Sequence, residues 1–242
     1  MKNKYKMPLV ILAAGMLIVL ASSAGATRAA MVYQSAAQEV DFSTAEFSID
    51  IEEEVDGQYQ SLKTANELNF STIKLDEKFK VGKLYPEKLR VVNNSNEKTG
   101  YSEYVRVVLR KSWYKDGKNT NLDPALIKIS VAEGWWENPA ESTPEQKVYY
   151  RSAPLACGET ADFITGIQVD NSITTFVEMK EVEAGIVNEY LYNGEEVFIE
   201  IQADAVQTHN AKDAMYAAWG IKASFDAEDD GNITAIGDRA VQ

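Results

Sequence analysis

Hydrophobic and polar residues alternate with a period of two in many short runs along this chain. The clearest runs cover residues 47–51, 105–109, 127–131 and 197–206. This alternation is typical of β-strands that bury one face and expose the other. The longest run, 197–206, predicts a central strand. Further runs at 89–91, 163–169 and 173–182 bring the predicted total to about eight to ten strands.

Turn signals rich in Asn, Asp, Gly and Ser separate these runs. They lie at residues 93–95, 115–118 and 192–194. Long helical patterns are missing between the runs, so the strands must form antiparallel sheets. We interpret the polar stretch 133–146 and the weakly patterned stretch 56–76 as insertions between strands. The sequence therefore predicts an all-β, antiparallel, jelly-roll-like β-sandwich, formed as a single domain by residues 30–242.

One short helix is predicted near the C-terminus. Asn210 is interpreted as its N-cap, and Gly220 as the residue that ends it. Alanines, which have high helix propensity, fill much of the stretch between them. Met215 and Trp219 lie four residues apart and share one face of this helix, so we expect that face to pack against the sandwich.

The first thirty residues have the composition of an export signal. Three lysines within the first six residues precede an uncharged run over residues 7–27, and small residues cluster at its end. This order predicts a secretory signal peptide over residues 1–29, cleaved between Ala29 and Ala30, with Ala24 and Ala26 as alternative cleavage positions. An uncharged run of this length would also suit an uncleaved membrane anchor, which is the alternative interpretation.

Acidic residues outnumber basic ones in the predicted mature chain. The whole sequence has a formal net charge of −13, and removing residues 1–29 takes away four positive charges and no acidic residue, which leaves −17. Such a surface repels nucleic acid and anionic lipid, so we expect no nucleic-acid partner and membrane contact only during export. The hydrophobic content of 45% excludes a disordered chain.

The sequence offers few groups for catalysis. Cys157 is the only cysteine and His209 the only histidine. A lone cysteine excludes an intramolecular disulfide, and we expect Cys157 to be a structural residue at a turn before a strand, or an exposed thiol that forms occasional dimers. One histidine cannot build the usual zinc-hydrolase site. We therefore predict no enzyme activity, no catalytic residue and no cofactor, with His209 as a hydrogen-bonding loop residue.

An acidic stretch near the C-terminus partly matches a calcium-binding loop. Asp226, Glu228 and Asp230 fall at the first, third and fifth positions of that template, but Gly237 stands where a bidentate glutamate is needed. We interpret the stretch as an acidic hairpin loop and keep calcium binding as the alternative.

Adjacent tryptophans suggest a second alternative. Trp135 and Trp136 could form a platform that stacks on sugar rings. Neighbouring residues of a strand point to opposite faces, however, so we expect at least one of the two to lie in the core.

Several motifs resemble a known family of exported matrix proteins. The segment from Gly25 to Tyr33, GATRAAMVY, resembles the cleavage region of proteins that are processed by the dedicated signal peptidase SipW. The mature chain resembles the BsaA-type branch of the TasA and camelysin group. The motifs that carry this resemblance are FKVGK at 79–83, VVNN at 91–94, EYVRV at 103–107, DAVQTHNA at 204–211 and WG at 219–220.

The resemblance implies a jelly-roll subunit of extracellular fibres in a biofilm matrix. It implies secretion to the matrix or cell surface, a SipW-type signal peptidase, and head-to-tail self-assembly into a homopolymer. In such assembly the segment freed by cleavage adds a strand to the next subunit. Residues 30–40 are the candidate donor strand, and the residues expected to act in self-assembly are Met31, Val32, Tyr33 and Val40.

Three other interpretations remain open at the level of sequence. Residues 30–40 would form an ordinary edge strand of their own domain if no exchange takes place. The camelysin relatives suggest a cell-surface metallopeptidase, although the single histidine argues against it. The paired tryptophans suggest a secreted carbohydrate-binding adhesin.

Overall fold

The computed structural model describes residues 33–34, 48–65, 68–74, 79–98, 100–182, 185–228 and 230–241. Short helices occupy Leu62–Ala65 and Ser71–Lys74, and a longer one occupies Ala211–Trp219. The strands of the described chain are β1 (Tyr33–Gln34), β2 (Ile49–Val55), β3 (Gln58–Ser61), β4 (Leu89–Asn93), β5 (Glu103–Tyr114), β6 (Lys118–Asn119), β7 (Ile127–Val131), β8 (Trp135–Glu137), β9 (Gln146–Arg151), β10 (Thr160–Val169), β11 (Val177–Val182), β12 (Gly185–Tyr190), β13 (Glu196–Gln207), β14 (Ala223–Phe225), β15 (Ile233–Ile236) and β16 (Arg239–Ala240).

Two antiparallel sheets pack face to face. The first sheet has the strand order β1-β13-β5-β9-β8, with β6 paired to one end of β5. The second has the order β3-β2-β4-β10-β7. One hydrophobic cluster joins residues from both sheets, so the main core lies between them. The antiparallel, jelly-roll-like β-sandwich predicted from the sequence is therefore confirmed.

Alternate residues of β5 explain how the first sheet is buried on both faces. Val107 and Leu109 point into the main core. Tyr104 and Val108 point the other way, into a second cluster formed with the Ala211–Trp219 helix and strands β14 and β15. Because side chains alternate across a strand, one strand supplies both clusters. The first sheet is thus a middle layer, with the second sheet on one side and the helix on the other.

The predicted helix is confirmed, but its N-cap is not. The side chain of Asn210 makes no capping hydrogen bond, and its backbone lies in the left-handed region with φ of 55°. Gly220 ends the helix as predicted, with φ of 71° and its N–H donating to the carbonyl of Tyr216. Met215 and Trp219 are both buried against the first sheet, so this face packs as expected.

Several sequence predictions about strands need correction. The run 173–182 is not one strand, because a 3₁₀ helix at Asn171–Thr175 precedes β11 and the side chain of Asp170 caps it. The supposed loop 133–146 contains β8, and the weakly patterned stretch 56–76 contains β3 and the two short helices. The run 197–206 does form the long strand β13, but this strand lies next to the end of its sheet and is not central.

Strands β11 and β12 form a two-stranded hairpin of their own. Within the described residues they pair only with each other. Met179 at 75% exposure and Tyr190 at 48% lie on this hairpin. A two-stranded ribbon has little stability of its own, so the hairpin depends on the sandwich that carries it.

Candidate functional site: the outer edge of β13

The outer edge of β13 has few strand partners for its length. On its inner side β13 pairs with β5 over twelve consecutive residues, from Glu196 to Gln207. On its outer side, within the described part of the chain, β1 gives it only two partners, Tyr33 opposite Ala205 and Gln34 opposite Asp204. A strand edge without a partner leaves backbone N–H and C=O groups ready to pair with another strand.

Burial along β13 changes halfway along the strand. Ala203 and Ala205 point into the main core and are fully buried. Val197, Ile199 and Ile201 have the same parity but are only partly buried. The core-facing side of β13 is therefore covered near β1 and partly open beyond it, where a longer neighbouring strand would bury more apolar surface.

Strands of the second sheet pack against the core-facing side of β13. Strand β2 lies across the core from β13, and the segment that follows β3 places Leu62, Leu68 and Phe70 against the main core. Glu53 on β2 is buried, and its carboxylate accepts the backbone N–H groups of Asn69 and Phe70, both at 2.6 Å. These charge-assisted bonds hold the segment against β2 and the main core.

A buried ion pair holds the part of β13 that contacts β1. Asp204 is fully buried, and Arg106 on β5 donates to its carboxylate from Nη2 at 2.5 Å and from Nε at 3.2 Å. Gln202 donates to the other carboxylate oxygen at 3.0 Å. Because the carboxylate is paired and hydrogen-bonded, its burial is tolerated. The sequence did not predict this pair, because Arg106 and Asp204 lie on the strand faces that the alternation predicts to be exposed.

Most of the predicted processing and assembly residues lie outside the described residues. These are Ala29, Ala30, Met31, Val32 and Val40, together with the predicted signal peptide 1–29. For Tyr33 the structure describes the backbone pairing with β13. None of the helices in the described ranges is long and apolar enough to cross a membrane.

The acidic C-terminal stretch forms the hairpin loop between β14 and β15. Asp226 begins this loop, and its carboxylate accepts the backbone N–H of Asn232 at 2.7 Å and the side-chain amide at 2.9 Å. These bonds lower the pKa of Asp226. Glu228 and Asp230 are exposed in the same loop. The carboxylate of Asp226 thus serves the loop itself, which fits the hairpin interpretation.

The two tryptophans do not form a common platform. Trp135 packs edge-on against Phe163 in the main core, with ring centroids 4.9 Å apart, and its indole N–H donates to the carbonyl of Asp162 at 2.7 Å. Trp136 lies on the other face of the sheet, in the cluster that contains Tyr150. Each ring therefore has its own structural role on a different face.

The residues considered for metal binding or nucleophilic chemistry are His209, Cys157 and the acidic side chains. Among those residues, no group of three or more His, Cys, Asp and Glu side chains is arranged to hold a metal ion. His209 is exposed in the turn before the long helix. Cys157 lies at the turn before β10, as predicted, and is partly buried. Burial, followed by the nearby Glu103, raises the pKa of this thiol, which makes it a poorer nucleophile.

Comparison with known proteins finds no relative: no protein-family model, curated protein or solved structure matches the chain. Function must therefore be argued from the geometry of the β13 edge and from the sequence.

Proposed function

We propose that this protein is a secreted structural subunit of extracellular biofilm matrix fibres. In this proposal the N-terminal segment of one copy, residues 30–40 after signal cleavage, adds a strand to the outer edge of β13 in the next copy. The assembly is a head-to-tail homopolymer without catalytic function. The resemblance of the sequence to TasA-type matrix proteins supports the same assignment.

The observation that carries the proposal is the mismatch between β13 and its partner β1. Strand β13 is twelve residues long, yet within the described residues β1 pairs with only two of them, Asp204 and Ala205. Partial burial at Ile199 and Ile201 leaves apolar surface for an incoming strand to cover. Burial of one large apolar side chain contributes roughly 1.5 to 3 kcal/mol.

The register of β1 supports the same segment as the donor. Tyr33 lies opposite Ala205, whose side chain faces the main core. Residues directly opposite each other in an antiparallel pair share one face, so donor positions with the parity of Tyr33, including Met31, would face the core. If each copy donates its N-terminal segment to the next copy, and the series of copies does not close into a ring, the product is a filament.

The decisive experiment compares three forms of the mature protein by negative-stain microscopy. We expect wild type to form fibres and a deletion of residues 30–40 to form none. The control carries the residues of 30–40 in scrambled order, which keeps length and composition but loses the parity of apolar positions. It should also form none. Circular dichroism should show the same β-rich fold in all three.

Two further forms of the test address mechanism. Met31→Asp with Tyr33→Asp should abolish fibres, because two carboxylates would have to be desolvated at core-facing positions. Free peptide 30–40 should cap wild-type growth, whereas the scrambled peptide should not, since only the native order fits the edge. Normal fibres from the deletion would contradict the proposal and show that assembly uses another surface.

A further inference from the structure

A cavity of about 470 Å³ is lined by residues of β5, β7, β8 and β9, and two of these, Leu109 and Lys111, lie opposite Ile201 and Ile199 of β13. The strand orders place β8 and β9 at the far end of the first sheet and β7 at the far end of the second. Residues of all three strands line the cavity, together with Leu109 and Lys111 of β5 and the loop before β9. Its size lies within the range of small-molecule pockets, roughly 300 to 1,000 Å³.

The floor of the cavity is apolar. Leu109, Ile129 and Tyr149 supply it from the main core, and Pro139 and Pro144 supply apolar surface from the loop. Tyr149 is held edge-on against Phe163, with ring centroids 5.4 Å apart, so this part of the floor is rigid. A floor of this kind suits a hydrocarbon or aromatic body and offers few groups to the hydroxyls of a sugar.

Lys111 is the unusual residue of this cavity. It has the same parity as Leu109 on β5 and therefore points between the sheets, where its exposure is only 6%. Its Nζ donates to the carbonyl of Ile127. An ammonium group has three N–H donors, and a buried ammonium is costly unless these donors and the charge are compensated. One carbonyl leaves room for an anion to complete the coordination.

Other charges in the lining make the cavity cationic. Lys128 and Lys147 line it with Lys111, and Glu137 is the one acidic residue among the lining residues. Lys147 lies 2.8 Å from Glu137, and Lys128 lies 3.8 Å from Asp170 outside the cavity. The lining thus has a surplus of two positive charges in a protein whose net charge is −13. A local reversal of sign of this kind attracts anions.

We propose that this cavity binds a small organic carboxylate whose body is apolar, with the carboxylate near Lys111, Lys128 and Lys147 and the body on the Leu109–Ile129–Tyr149 floor. The ligand class follows from the two halves of the lining: cationic donors on one side and aliphatic and aromatic surface on the other. Binding of this ligand does not require fibre assembly, because no residue of β1 or β13 is among the described lining residues.

The protonation state of Lys111 gives a second way to detect ligand binding in this cavity. Burial, followed by the charges of Lys147 and Lys128, lowers the pKa of Lys111 to about 8, while Asp123 and Glu137 act in the opposite direction. A bound carboxylate favours the charged ammonium, so binding should raise this pKa and take up a proton when the solution is near or above pH 8. Affinity should therefore fall as pH rises from 7 to 9.

Isothermal titration calorimetry of the purified protein with octanoate tests the site. We expect saturable binding of octanoate at pH 7, binding at least tenfold weaker for 1-octanol, which has the same body without the charge, and no binding of glucuronate, which has the charge on a sugar body. Lys111→Met and Lys147→Met should each weaken octanoate binding at least tenfold. Lys118→Met is the matched control, because Lys118 is exposed and pairs with Glu145 outside the lining.

Each result has a defined meaning. Lys111→Met replaces a buried ammonium by an apolar side chain of similar length, so it should keep the fold, and the partly exposed Lys147 gives an independent variant. Equal affinities for octanoate and 1-octanol would overturn the role of the lysines. Tighter binding of glucuronate than of octanoate would contradict the proposal that the ligand has an apolar body. Failure of octanoate to bind at millimolar concentration, or binding unchanged in both lysine variants, would overturn the site.

Discussion

Asp204 on β13 and Arg106 on β5 lie directly opposite each other and form a largely buried ion pair. The carboxylate is fully buried, and Nη2 of Arg106 lies 2.5 Å from it. The guanidinium also lies 5.2 Å from the ring centroid of Trp219 on the long helix. The pair therefore joins three parts of the molecule: the edge strand, the middle of the sheet and the helix layer.

Arg106→Met should destabilise the protein strongly. The substitution keeps most of the side-chain volume but leaves Asp204 buried without its cation, and the loss of one partner of a buried pair costs about 3 to 5 kcal/mol. Chemical denaturation followed by circular dichroism measures the change in the free energy of unfolding.

Arg110→Met is the control for this prediction. Arg110 lies four residues further along the same face of β5 and pairs with Glu200 of β13 at 3.4 Å, but both side chains are exposed. Exposed pairs contribute about 0 to 1 kcal/mol, so the change should be small. Similar losses in the two variants would contradict the structural importance of the Arg106–Asp204 pair.

Glu103 makes stability depend on pH. This residue is fully buried at the start of β5, Ser95 donates to its Oε1 at 3.1 Å, and Oε2 has no hydrogen-bond partner among the described residues. Burial raises the pKa of Glu103 from 4.5 to about 7. The folded state therefore holds the proton more tightly than the unfolded state. This contribution to stability is complete below pH 4.5, falls as pH rises from 4.5 to 7, and is lost above 7.

Glu103→Gln should remove this dependence. The free energy of unfolding of wild type, minus that of the variant, should decrease by about 3 kcal/mol between pH 4.5 and 7.5, because each pKa unit corresponds to about 1.4 kcal/mol. Denaturant titrations at half-unit pH intervals give the two curves. Glu97→Gln, at a nearby exposed position, should run parallel to wild type. A constant difference between wild type and Glu103→Gln across this range would show that Glu103 titrates normally.

The alternation of hydrophobic and polar residues correctly predicted several strands of the sandwich. Runs 105–109, 127–131 and 163–169 all lie within strands of the sandwich. The position of β13 was not predictable from its pattern, because the helix covers one face of its C-terminal half and makes it resemble a central strand. Strand order depends on pairing between distant residues, which local alternation does not encode.

The candidate sites, too, depend on strand pairing that the sequence pattern does not encode. Composition and resemblance suggested the N-terminal segment as a donor strand, but the edge of β13 that we propose as its partner required the strand order. Lys111 follows Leu109 with the parity of a core residue, and this conflict between parity and charge was visible in the sequence. Lys111 and Lys147 line one cavity because β5 pairs with β9. The sequence did not predict β9, so this pairing was not predicted either.

Trp135 should be a structural residue. Trp135→Phe keeps an aromatic ring near Phe163 but removes the indole N–H that donates to Asp162, so we expect a loss of about 1 kcal/mol. Trp135→Ala removes the ring contact as well, with an expected loss of about 3 to 5 kcal/mol. Saccharide titration should leave tryptophan fluorescence unchanged. A saturable change that disappears in Trp135→Phe would favour the carbohydrate-binding alternative.

A disulfide between Tyr33→Cys and Ala205→Cys can distinguish pairing within one chain from pairing between copies. The two residues lie opposite each other in the β1–β13 register. Opposed residues of an antiparallel pair have Cα atoms about 4.5 to 5.5 Å apart, within the range that a disulfide spans. Replacing Cys157 by Ser in every variant removes the native thiol. The double variant, oxidised as a monomer, should lock the segment onto its own β13 and prevent fibre growth, and reduction should restore growth.

Mixed single variants give the complementary result. If the segment of one copy occupies the β13 edge of the next, fibres grown from equal amounts of the Tyr33→Cys and Ala205→Cys proteins should contain a covalent dimer on oxidation, visible on a denaturing gel. Ser130→Cys in place of Ala205→Cys is the control, since Ser130 is exposed on β7 at the far end of the other sheet. Fibres without the covalent dimer, or wild-type growth of the locked monomer, would mean that residues 33–34 stay with their own domain and that β13 is not the surface that joins the copies.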